Sequence, residues 1–149
     1  MNPRALTLLA VLCWLAPACE TEEPPQPPVY ASLRRSCAPF DGPAVTLYLS
    51  DHPIDGAVPA PPYDMISVYR GLDAVFGQSI LVESSQVGSA AKCLSGSECR
   101  PYIGGAVIKF GALRSDSTIA VSYRIFLSAE NELSGSVYPK LDPAPALCG

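Results

Sequence analysis

Ile119-Ala120-Val121-Ser122-Tyr123-Arg124-Ile125-Phe126-Leu127 alternates without a break, with Ile119, Val121, Tyr123, Ile125 and Leu127 on one side. Ala120, Ser122, Arg124 and Phe126 fall on the other, a mostly small or polar set. Period two over nine residues is the signature of a strand with one buried face, because successive side chains of extended backbone point to opposite sides. On the N-terminal side, the polar turn Arg114-Ser115-Asp116-Ser117 separates this strand from a second apolar run, Ala106 to Leu113. On the C-terminal side, Glu130-Asn131-Glu132 separates it from Leu133 to Tyr138. Three strands joined by short polar turns form an antiparallel meander with one wet face, and the middle strand is expected inside its sheet. Pro139 and Asp142-Pro143-Ala144-Pro145 stop the sheet before Cys148. The fold class read from this region is mainly β: a small antiparallel sheet or sandwich ending in the meander.

Toward the N-terminus, Ile80-Leu81-Val82 reads as a strand, and 84–100 as irregular chain. Residues 64–76 fit a helix better. Met65, Val68, Tyr69, Leu72, Val75 and Phe76 recur at helical spacing, with Asp64 placed to cap the start and Gly77 the end. The reading has opponents in Gly71 and in the alternation around Ile66 and Val68. Before it, 50–62 is a long loop rich in Pro, Asp and Gly, of the kind that is functional or mobile. Val45-Thr46-Leu47-Tyr48-Leu49 is a further strand. Gly104-Gly105 precedes a strand and gives a bulge or tight turn, since a dinucleotide fingerprint needs glycines between a strand and a helix.

The chain starts differently. One cation, Arg4, precedes Ala5 to Ala16, an uncharged apolar run. At about 18 Å as a helix it is short of a hydrocarbon core of about 30 Å. A basic start, a short apolar core and small residues at the exit describe a signal peptide over 1–18. The junction Ala16-Pro17-Ala18-Cys19 resembles the lipobox of bacterial lipoproteins, with Ala16 where that family most often carries leucine. The resemblance covers the leader and Cys19 only. It implies thioether attachment of diacylglycerol to Cys19, cleavage before it, and anchoring in the bacterial envelope. Glu20 in place of an aspartate leans toward the outer membrane. Cleavage after Ala18 without lipid, giving a soluble secreted protein, is the alternative. Residues 19–29 (Cys-Glu-Thr-Glu-Glu-Pro-Pro-Gln-Pro-Pro-Val) are too proline-rich and acidic to build a core and are expected to act as a tether. One globular domain is expected over 30–149.

Of six cysteines, the leader removes Cys13 and lipidation uses Cys19, leaving Cys37, Cys93, Cys99 and Cys148. An even number in an exported chain suggests two disulfides, for which three pairings exist. Cys93 and Cys99 bracket five flexible residues, and Cys37 and Cys148 bracket the globular region, so Cys93–Cys99 with Cys37–Cys148 is the expected set.

Ten Lys and Arg stand against fourteen Asp and Glu. Losing Arg4 with the leader leaves nine against fourteen, a mature charge of −5. With no basic cluster beyond Arg34-Arg35, read as a solvated pair, no nucleic-acid partner is expected. His52 is the single histidine, Gly-x-Ser-x-Gly is absent, and the cysteine spacing is wrong for structural zinc. No catalytic set, metal or cofactor is therefore assigned. Most of the seven tyrosines are expected at half-buried sheet positions. The leading functional expectation is a non-catalytic envelope lipoprotein that binds a protein, peptide or glycan, touching the membrane through Cys19. The 51–63 loop, with His52, Asp55 and Tyr63, and the Cys93–Cys99 loop would form its contact surface. A secreted hydrolase without a recognisable motif, and a secreted disulfide-stapled inhibitor or effector, are the alternatives.

Overall fold

Ten strands follow one another: β1 (Tyr30–Cys37), β2 (Pro43–Ser50), β3 (Tyr63–Val68), β4 (Ser79–Val82), β5 (Gly88–Cys93), β6 (Cys99–Pro101), β7 (Ala106–Leu113), β8 (Ile119–Phe126), β9 (Glu132–Val137) and β10 (Lys140–Leu141). They belong to a computed structural model that describes residues 30–148, apart from 57 and 84. The predicted leader, the 19–29 tether and Cys19 lie outside the described residues. One sheet has the order β10-β1-β2-β3-β5-β6 and the other β4-β7-β8-β9. Every pairing is antiparallel except the short parallel contact of β10 with β1.

The expected meander is β7-β8-β9. β8 is flanked on both sides, and its burial alternates along its whole length. Its turns have local causes. Between β7 and β8, Asp116 Oδ1 accepts from the Thr118 N–H at 3.0 Å and the Thr118 hydroxyl at 2.6 Å, an Asp-built turn. Between β8 and β9, the Leu127 N–H donates to Asn131 O at 2.9 Å. Gly105, after β6, has φ +69, and a Cβ there would lie 2.1 Å from Val82 O, so only glycine fits this crossing from one sheet to the other.

The two sheets bury a common core. Leu33, Val45, Leu47, Ile66 and Val68 come from one, and Ile80, Val82, Ile108, Phe110, Val121 and Ile125 from the other. Two disulfides close the domain in the expected pairing. Cys37–Cys148 joins its ends with a Cα–Cα distance of 5.5 Å, and Cys93–Cys99 links directly opposed residues of β5 and β6.

Residues 64–76 are not a helix. β3 takes 63–68 between β2 and β5, and only the 3-10 turn Leu72–Ala74 follows. In so short an apolar run the two periodicities overlap. Ladders on both sides and the β-branched Ile66 and Val68 decide for the strand. The 84–100 stretch, read as irregular, contains β5 and β6. Its Gly, Ser and Ala residues carry little strand propensity, and small side chains are what this part of the sandwich accepts, with Ala90 buried in the core. β2 is not wet on its far face. Ala44, Thr46 and Ser50 are buried there, and Thr46 shares hydrogen bonds with Ser36 at 2.8 Å and Ser67 at 2.9 Å. Arg34 is also more than a solvated cation. It donates to Asp142 at 3.0 Å, half-buried, and helps seat the C-terminal segment on β1. Among the tyrosines, five of seven are buried or half-buried, with Tyr30 and Tyr138 exposed.

Candidate binding cleft

The strand assignment of 63–68 turns Asp64 from a helix cap into an inward-facing carboxylate. On β3 the residues sharing the core side with Ile66 and Val68 include Asp64, since side chains alternate. Register places Leu49 opposite it on β2 and Lys92 on β5, with Arg100 beyond Lys92 on β6. A charged row, Asp64-Lys92-Arg100, therefore lies on the inner side at one end of the sandwich. One row deeper run Leu47, Ile66 and Ala90, and the Tyr102 N–H donates to Ala90 O at 2.9 Å. This sets Tyr102 diagonal to Asp64.

The Tyr102 hydroxyl donates to Asp64 Oδ1, and Lys92 Nζ lies 3.5 Å from the same oxygen. Among the described residues no group donates to Oδ2. The Asp64 side chain is 10% exposed while that of Lys92 is 47% exposed. Burying a carboxylate costs free energy unless it is paired. Here the firm partner is a hydroxyl, and the cation is held loosely by an ion pair worth at most about 1 kcal/mol at such exposure. From the opposite sheet, Tyr123 of β8 lies over β9, where the bare Gly135 leaves room: a Cβ there would sit 2.8 Å from the Tyr123 hydroxyl. That hydroxyl is buried with no hydrogen-bond partner among the described residues.

Beside Asp64, Lys92 and Tyr102 opens a cleft of about 220 Å³. Leu49, Leu127 and Leu133 give it an apolar wall, Asp64, Lys92 and Tyr102 a polar pole, and Asp51, Pro62 and Tyr63 a rim at the foot of the 50–62 loop. Burial, the Asp64 hydrogen bond and the Asp64 charge, in that order, hold the Tyr102 hydroxyl well above the ordinary tyrosine range. Burial, then the Asp64 charge, pushes Tyr123 up to about 12. Both shifts favour the neutral phenol in the folded state. The stability they contribute is full below the unfolded tyrosine pKa near 10 and is lost as pH rises through the folded values. A phenolate absorbance titration should accordingly show a late component well above the ordinary tyrosine range, merging with alkaline unfolding, and Tyr102→Phe should shrink it. A single transition complete near pH 10 would contradict the geometry.

The predicted contact residues separate. Tyr63 is buried at the rim, its ring edge-on to Tyr48 at 5.6 Å between centroids. His52 is exposed, with Nδ1 3.2 Å from Asp51 Oδ1, and among the described residues no hydroxyl or thiol hydrogen-bonds to its ring. Ser50 Oγ instead accepts from the His52 backbone N–H at 3.0 Å. Asp55 is exposed and, among the described residues, makes no side-chain hydrogen bond or ion pair. Of the cystines, Cys93–Cys99 backs the cleft end from the outer side, since Cys93 pairs with Tyr63, whereas Cys37–Cys148 lies at the far end of β1. Asp64, Lys92, Tyr102 and Tyr123 were not picked out from sequence. The available signal was Asp64 itself, a charged residue on the Ile66 and Val68 side once Tyr63-Asp64-Met65-Ile66-Ser67-Val68 is treated as a strand. No group of three or more His, Cys, Asp or Glu side chains among the described residues could hold a metal ion. The chain matches no protein-family model, no curated protein and no solved structure.

Proposed function

We propose that the protein is an exported, lipid-anchored, non-catalytic binding module that takes its ligand in the cleft at the Asp64 end of the sandwich. The observation that carries this is the cleft itself, where an apolar wall faces a buried carboxylate with one oxygen free of described donors. A concave, mostly apolar site with a few convergent polar groups is what ligand pockets have in common. The two disulfides are compatible with an oxidising compartment. Tyr30, where the tether joins the domain, pairs with Ser50 at the cleft rim. With Cys19 lipidated, a polyproline-type tether at about 3.1 Å per residue keeps the cleft end within roughly 30 Å of the membrane. The ligand is then a peptide, protein segment or glycan met at the envelope surface.

Two measurements test this. An intact mass under non-reducing conditions should fit a chain from Cys19 plus lipid, less four thiol hydrogens, and the protein should partition into detergent. A bare chain with a free Cys19 thiol would replace the lipoprotein by a soluble secreted protein. For the cleft, a panel of short peptides and oligosaccharides is screened by ligand-observed NMR against wild type and Leu127→Trp. Leu127 is 39% exposed on the cleft wall, so the larger ring fills the cleft without entering the core. Ligands that bind wild type should lose tenfold or more in affinity to Leu127→Trp. Equal binding to both proteins would move the site elsewhere.

A further inference from the structure

We infer that the cleft selects an alkylammonium group on an apolar stem, and that Lys92 occupies the ligand's place at Asp64 when the cleft is empty. The inference rests on the binding reading above and adds the ligand class to it. Asp64 is the only acidic side chain among the buried polar and charged residues of the described chain. Both groups that reach it go to Oδ1, the Tyr102 hydroxyl and Lys92 Nζ, so Oδ2 is left for a further donor. Tyr102 is anchored by its backbone bond to β5 and is half-buried, so it fixes the carboxylate in position. Among the described residues the Lys92 side chain has no other partner. Its long side chain reaches the carboxylate from a half-exposed position at 3.5 Å, and can swing into solvent at little cost.

The surroundings suit a cation with a hydrocarbon stem. Leu49, Leu127 and Leu133 bury methylenes, and the ring of Tyr102 stands beside the carboxylate at the pole, an aromatic surface of the kind on which cations rest favourably. Among the residues lining the cleft, an anionic ligand would meet Asp64 and Asp51 with only the displaceable Lys92 in its favour, since Arg100 beyond it is paired with Glu98. The alkylammonium is borne either by a lysine side chain in a peptide or by a free diamine, and the test separates the two.

The full chain, purified in detergent, is titrated by ligand-observed NMR with N-acetyl-lysine methylamide, with its uncharged counterpart N-acetyl-norleucine methylamide, and with 1,5-diaminopentane. The lysine derivative should bind about tenfold or more tightly than the norleucine one, and Asp64→Asn should remove that difference. Lys92→Met should strengthen lysine binding about fivefold by removing the competing cation, a gain that loss of folding cannot produce. Preference for the lysine derivative over the diamine assigns the site to peptides, and the reverse assigns it to free amines. Equal binding of the lysine and norleucine derivatives, abolished by Leu127→Trp, would overturn the inference and leave the cleft as an apolar binding site. No binding of either amine to wild type or Lys92→Met would also overturn it. The binding reading would then be decided by the peptide and oligosaccharide panel alone.

Discussion

Phe110→Ala is expected to cost about 3–5 kcal/mol, roughly a fifth or more of the ~5–15 kcal/mol that holds a domain of this size folded. Phe110 is the largest fully buried side chain. It sits on β7 opposite Val121, and Phe76 pairs beside it as an isolated bridge. The Gly77 N–H donates to Phe110 O at 2.8 Å. This backbone is tied on both sides and cannot close over the space a deleted ring would leave, so the lost transfer energy and the cavity add. Leu113, at the end of the same strand, is 48% exposed, and Leu113→Ala should cost under about 1 kcal/mol. Urea unfolding of both variants with the disulfides intact checks this pair. Comparable losses from the two would mean that the core is not where the sandwich puts it.

Removing Cys37–Cys148 should destabilise the domain by about 4–5 kcal/mol on the chain-entropy model, against about 2 kcal/mol for Cys93–Cys99. The difference lies in loop length. The first bridge spans a sequence separation of 111 and the second only 6. The short bridge also links residues that the β5–β6 ladder already holds opposite one another, so the fold gains little order from it. Cys37→Ala/Cys148→Ala and Cys93→Ala/Cys99→Ala, compared in non-reducing urea melts, should rank in that order. The opposite ranking would show that the cystine behind Tyr63 carries the packing and that the ends of the domain are held by other contacts. The Arg34–Asp142 pair and the bond from the Asp142 N–H to Leu33 O at 2.9 Å are the contacts that would have to do so.

The candidate site was less legible than the fold, and Asp64 shows why. Its neighbours Ile66 and Val68 reveal a core-facing side only once the segment is known to be a strand. That depends on β2 and β5, which reach it from more than a dozen residues away on either side. Lys92 and Tyr102 join it through register alone, since neither lies in a stretch with a periodic pattern. The 50–62 loop, conspicuous for its prolines, contributes its foot through Asp51 and Pro62, while its own polar residues His52 and Asp55 stand in solvent.

By itself, the sequence determined the β class, the C-terminal meander and the strands around Val45–Leu49 and Ile80–Val82, and it favoured the observed disulfide pairing among the three possible. These rest on information held within short spans: alternation along one strand, turn chemistry between two, and the spacing of four cysteines. Only the tertiary structure decided that 63–68 is a strand, that the small residues of 88–93 are another, and that the polar β1 lies inside a sheet. It alone brought Asp64, Lys92 and Tyr102 to one cleft. A strand's hydrogen bonds are made to distant partners, and a shift of one residue in register reverses which side chains face inward.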